Sequence, residues 1–134
     1  MRDFLNMVHL AAASIGGALG SVVGGWDGFL YALIVFVVLD YLTGVLAAGV
    51  RKQLSSEIGF KGIAKKVAIF CLVAMAHIID SRLIQNGSVV RTAVIFFYLS
   101  NEGISICENA AVIGLPIPEK FKDVLEQLSD KEGE

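Results

Sequence analysis

Residues 29–50 read FLYALIVFVVLDYLTGVLAAGV, an apolar run with a single charge, Asp40. A helix that crosses a bilayer needs about 20 mostly apolar residues, and this run supplies them. Residues 63–84 (IAKKVAIFCLVAMAHIIDSRLI) form a second such run. It spans if Lys65 and Lys66 snorkel at one end and Asp80 and Arg82 mark the other. Residues 90–112 (VRTAVIFFYLSNEGISICENAAV) form a third, with Asn101, Glu102, Glu108 and Asn109 inside it. A fourth run, 7–25, is rich in Gly, Ala and Ser, which gain little in lipid. It reads either as a marginal span or as a membrane-surface helix. The chain is 55% hydrophobic and 18% charged, with mean hydropathy +0.69. A soluble domain carries about 25% charge, and a soluble core built from 134 residues could not hide this much apolar surface. The expected fold is therefore all-α: one integral membrane domain, 1–134, of helical hairpins. It has three firm transmembrane helices and a marginal Gly-rich N-terminal helix.

The connections are short. Trp26-Asp27-Gly28 makes a tight turn, with Trp26 suited to the headgroup level. Residues 51–61 (RKQLSSEIGFK) link the second and third runs, and Asn86-Gly87 signals a turn in 85–89. After Pro116 and Pro118, apolar Phe121, Val124, Leu125 and Leu128 recur at i, i+3, i+4 and i+7. That spacing predicts a short amphipathic C-terminal helix over 118–128. Residues 129–134 (SDKEGE) are expected to be an unordered charged tail. Asp3 offsets Arg2, and glycine dilutes the first run, so a cleaved leader is not expected.

Basic residues give an orientation. Arg51, Lys52, Lys61, Lys65 and Lys66 cluster in and beside one loop, which the positive-inside rule places in the cytoplasm. Lys120, Lys122 and Lys131 place the C-terminus on the same side, while Arg82 and Arg91 count against the scheme. The side of the N-terminus depends on whether 7–25 spans.

Three helix faces stand out. In the first run, Ala12, Gly16, Gly20 and Gly24 are spaced four apart, beside a track of Ala13, Gly17, Ser21 and Gly25. Small residues at this spacing let helix backbones touch in lipid, so they are candidates for oligomer packing. In the last span, Arg91, Tyr98, Asn101, Glu102, Ser105, Glu108 and Asn109 fall within an arc of about 120° at 100° per residue. Charge at the bilayer centre needs water or a partner. This stripe is therefore either a pore wall or an internal seam. In the third run Lys66, Phe70, Val73, His77 and Asp80 share a face, and His77 is either a pH sensor or a hydrogen-bonded structural residue. In the second run Asp40 shares a face with Thr43 and Gly44, and its expected partner is Lys65 or Lys66.

Other classes are poorly supported. No catalytic residue, cofactor-binding residue or metal ligand is assigned: the chain has no HExxH, P-loop or Ser-His-Asp pattern, and only His9 and His77. Cys71 and Cys107 read as small buried hydrophobes. A formal charge of −2 argues against nucleic-acid binding.

The segment Asp40-Tyr41-Leu42-Thr43-Gly44 is followed by Ser55-Ser56, then Gly59-Phe60-Lys61-Gly62, Lys65-Lys66 and a closing His77-Ile78-Ile79-Asp80. This order resembles the toxin-secretion and phage-lysis holin family. The resemblance implies a small phage-encoded inner-membrane protein without catalytic residues or cofactors. Such proteins assemble as homo-oligomers into large lesions, which release a peptidoglycan-degrading endolysin or a toxin and time host lysis. Asp40, Thr43, Gly44, Gly59, Gly62, Lys66 and Asp80 then become candidates for assembly and geometry. A small ion channel or proton-coupled transporter using Asp40, His77 and Glu102 remains a rival. So does a non-conducting adaptor that works through its amphipathic tail.

Overall fold

The computed structural model describes residues 1–133, with side chains through residue 128. Five helices follow one another: α1 (Arg2–Val22), α2 (Gly28–Val50), α3 (Ser56–Ile78), α4 (Val89–Ile113) and α5 (Glu119–Gly133). α3 continues without a break as a π-helical segment, Ile79–Ile84. No strand occurs among the described residues. α1, α2, α3 with its π segment, and α4 are each long and apolar enough to cross a membrane. At 1.5 Å per residue the 23-residue α2 is about 35 Å long, against a hydrocarbon core of about 30 Å.

Local chemistry sets the helix ends. Asp27 caps α2, its Oδ1 accepting from Leu30 N at 2.9 Å, and Ser55 caps α3 by accepting from Ile58 N at 3.2 Å. The Ser55 cap makes α3 begin at Ser56, so the polar link 51–61 shrinks to a few residues and Lys61 becomes helical. α1 starts at Arg2, five residues before the expected run, because no breaker separates Arg2 from Met7. It stops at Val22, and Gly24 and Gly25 adopt φ of +96° and +104° in the turn that follows. Both small-residue tracks therefore lose their last member from the helix. At the other end of the chain, α5 runs to Gly133 where composition predicts an unordered tail from 129, because Asp130, Lys131 and Glu132 do not break a helix already started. The side chains of 129–133, and Glu134, lie outside the described residues.

α4 is the central helix. It lies along both α2 and α3, which scarcely meet each other, and α5 folds back along it. The core is a single apolar layer of Leu33 and Val37 from α2, Ile69 and Val73 from α3, and Ile95 and Leu99 from α4. Phe29 and Phe96 pack edge to face beside it, with centroids 5.2 Å apart. Outside that layer the large apolar residues face outward: Leu10, Ile15 and Leu19 on α1, Tyr31, Leu42 and Leu46 on α2, Phe60, Val67 and Met75 on α3. Water would not tolerate such a surface, whereas lipid solvates it.

Candidate functional site

In lipid, apolar contact alone does not drive helices together, so polar pairs and close packing carry the weight. The structure has two polar centres, one at mid-span and one at the end that holds the α1–α2 turn.

The mid-span centre joins three helices. Lys66 of α3 donates to Asp40 Oδ2 of α2 at 2.7 Å and to Glu102 Oε2 of α4 at 3.0 Å. Their side chains are only 16%, 13% and 9% exposed. Asn109 of α4 extends the seam, its Nδ2 donating to Asp40 Oδ1 at 3.0 Å and to Thr43 Oγ1 at 2.9 Å. Thr43 Oγ1 in turn donates to Leu39 O at 2.8 Å, so the hydroxyl is used both ways. Asp40 thus takes Lys66, not Lys65, and Lys66 turns inward where snorkelling is expected. The reason is that two carboxylates converge on it, an attraction stronger at low dielectric than the pull of the headgroups. Beside the seam lies a cavity of about 250 Å³ lined by Asp40, Gly44, Gly59, Gly62, Lys66, Ser105, Glu108 and Asn109. Gly59 and Gly62 face the Tyr41 ring, leaving ordinary contact distance for a methyl group. Two of the segments that carry the family resemblance, 40–44 and 59–62, therefore meet around one space with Lys66, while the closing segment 77–80 lies elsewhere.

The second centre is built on Arg91, which is 4% exposed. Its Nε donates to Val23 O at 2.6 Å, Nη1 to Asp27 Oδ2 at 2.7 Å and Nη2 to Gly25 O at 3.1 Å. The guanidinium beside Asp27 is the main reason that this loop carboxyl stays below its ordinary value of 3.8. Gly24 is needed here: its φ is left-handed, and a Cβ would collide with Arg91 and His77. Asp80, 2% exposed, accepts from the backbone N–H of Val90 at 3.0 Å and of Arg91 at 2.7 Å. It is the N-terminal cap of α4, supplied by the π segment of α3.

The polar stripe of α4 is split. Arg91 and Glu102 are buried and Asn109 is half-buried, on the edge nearest α2 and α3. Tyr98 and Ser105 are half-buried, while Asn101 and Glu108 are exposed. The buried face is displaced from the stripe towards its apolar side, through Ile95, Leu99, Gly103 and Cys107. Burial follows where α2 and α5 lie, which the pattern of α4 alone does not encode. On α1, a Cβ at Gly16 or Gly17 would meet nothing, whereas Gly20 lies under the Trp26 ring. Trp26 Nε1 donates to Gly16 O at 3.0 Å, so the indole folds back along α1.

Sequence reasoning missed three features. Asp27 was legible as part of a tight turn but not as the partner of Arg91, 64 residues away. Asp80 carried no sign that it caps a different helix. Gly103 passed unnoticed, and its signal was a lone glycine amid bulky neighbours.

These features define a small helical membrane protein, lipid-facing outside and tied together inside by buried ion pairs. Its sequence matches the bacteriophage holin family over residues 17–130. The chain belongs to that family. A probable holin of Bacillus phage phi105 is 37% identical, covering 79% of this chain and 80% of the relative. An uncharacterized 14.9 kDa protein of Clostridium perfringens is 44% identical over 98% of this chain and 99% of its own length. An uncharacterized protein of Listeria monocytogenes is 46% identical over 89% and 84%. No solved structure matches the chain.

Proposed function

We propose that this chain is a holin that oligomerises in the bacterial cytoplasmic membrane and opens large lesions. The lesions release an endolysin or a toxin and time lysis, with no catalytic residue of its own and no required contact with the enzyme released. The observation that carries this reading is the outer edge of the α4 stripe. Asn101 and Glu108 are exposed, Glu108 at the rim of the cavity beside the seam, and among the described residues neither side chain makes a hydrogen bond or an ion pair. A lone chain in lipid cannot hold them there. A second copy or water can, and a family that opens membranes supplies both. The seam edge, Arg91, Glu102 and Asn109, holds the unit together, while the free edge is left for assembly.

The α2–α3 link and the α4–α5 link, from which the C-terminal helix starts, lie in the cytoplasm in this reading. Lys66 is withdrawn into the seam, which leaves Arg51, Lys52, Lys61 and Lys65 for the positive-inside count. Arg82 and Arg91 stand at the opposite end, two basic residues against these four. A relay through Asp40, Glu102 and His77 is less well supported. His77 stands 11 residues, about 16 Å, along α3 from Lys66 at 1.5 Å per residue.

The test is culture turbidity after induction in bacteria holding a cytoplasmic muralytic enzyme without a signal sequence. An abrupt fall that needs both proteins and is brought forward by an energy poison supports the lesion. Unchanged turbidity with the protein in the membrane removes enzyme release.

A further inference from the structure

The position of α5 conflicts with its composition. Leu125 is 4% exposed and sits in a notch at Gly103, where any Cβ would run into its methyl groups. Ser100 Oγ donates to Leu125 O at 2.8 Å, a buried bond from α4 to the backbone of α5. Ser100 and Gly103 lie near the middle of the 25-residue α4. α2 confirms the depth. Phe36 borders the same notch, and α2 runs on past it through exposed Leu42, Leu46 and Val50. Leu125 therefore sits between the two ends of the apolar α2, Gly28–Val50. Yet Lys122, Asp123 and Glu126 lie within one turn of it. At 100° per residue Glu119, Lys120 and Asp123 point away from Leu125 and Glu126 points to its side, and all four are exposed. Lipid does not solvate such a row of charges at mid-bilayer.

We infer that α5 is a re-entrant helix that occupies the Gly103 notch only where water reaches mid-bilayer. Its outer face of Glu119, Lys120, Asp123 and Glu126 then forms part of an aqueous lining. In a chain surrounded by lipid the same helix lies on the membrane surface, with Phe121, Val124, Leu125 and Leu128 turned into the interface. The non-helical link Leu115–Pro118 is the hinge between the two positions. The inference rests on the lesion reading for the source of the water.

The experiment places cysteines at Gly103→Cys and Leu125→Cys in a chain with Cys71→Ser and Cys107→Ser, in vesicles loaded with a small dye. Oxidation closes an intrachain disulfide only when α5 is docked, and the closed form migrates faster on a denaturing gel. A charged, water-soluble amine-acylating reagent is then supplied on both sides, and Lys120 modification is read by mass spectrometry in each band. The expected result is a closed band whose Lys120 is modified as fully as in the open band. Absence of a closed band overturns docking, and loss of Lys120 modification in it overturns the aqueous face. Ser100→Cys with Leu125→Cys provides a second lock should the first pair not accumulate. Dye release separates the two readings. A closed, modified band without release keeps the placement of α5 and removes the lesion. Release without a closed band does the reverse.

Discussion

Lys66 holds the mid-span centre together, because one ammonium serves two carboxylates from two other helices. Removing one partner from a buried pair strands the rest at a cost of about 3–5 kcal/mol. Lys66→Met should therefore lower the unfolding temperature of the detergent-solubilised protein sharply. Adding Asp40→Asn and Glu102→Gln should recover much of the loss, since no stranded charge remains. A triple variant as unstable as the single one would show that packing of the Lys66 stem matters more than charge. Asp27 makes a pH-dependent prediction. Its carboxyl is held below 3.8 in the folded chain, chiefly by Arg91. The folded value is depressed, so the ion pair contributes stability at neutral pH and loses it as pH falls through and below 3.8. Asp27→Asn keeps a capping side chain for Leu30 but not the charge. Wild type should exceed Asp27→Asn in unfolding temperature at pH 7, with the gap closing in strong acid. Equal stability at both pH values would show that the half-exposed pair contributes nothing.

At the scale of elements, α1 differs from the other spans. Its apolar side chains are almost all exposed, and its small residues are divided between two uses. Gly20 accommodates Trp26 within the chain, while Gly16 and Gly17 stand open. Gly17→Leu should therefore leave the unfolding temperature nearly unchanged and shorten the cross-linking ladder, if the open face is where copies meet. A full ladder would remove that role. Gly20→Leu, by contrast, should destabilise the chain, because the leucine and the indole need the same space. The Gly/Ala spacing was legible in the sequence. That the chain ends the helix at Val22, removing Gly24 and Gly25 to serve Arg91, was not, because the demand comes from a residue on α4.

For the whole molecule, the free edge of α4 decides what the chain does beyond standing in a bilayer. Asn101→Leu with Glu108→Leu should leave membrane insertion and fold intact, since neither side chain bonds within the described chain. The turbidity fall should be lost or long delayed. Wild-type timing would show that lesion formation does not use this edge.

The sequence by itself determined that the chain is a helical membrane protein, where its main apolar runs lie and what family it resembles. Those properties reside in local composition and period, because lipid demands length and apolarity of each segment separately. It also narrowed the partner of Asp40 to two adjacent lysines, as depth along a span can be counted in residues. Only the tertiary structure decided which lysine turned inward, which edge of the α4 stripe was buried, and that Asp80, Arg91 and Gly103 serve distant elements. Those outcomes depend on which helices flank α4, and no periodicity within a helix records its neighbours.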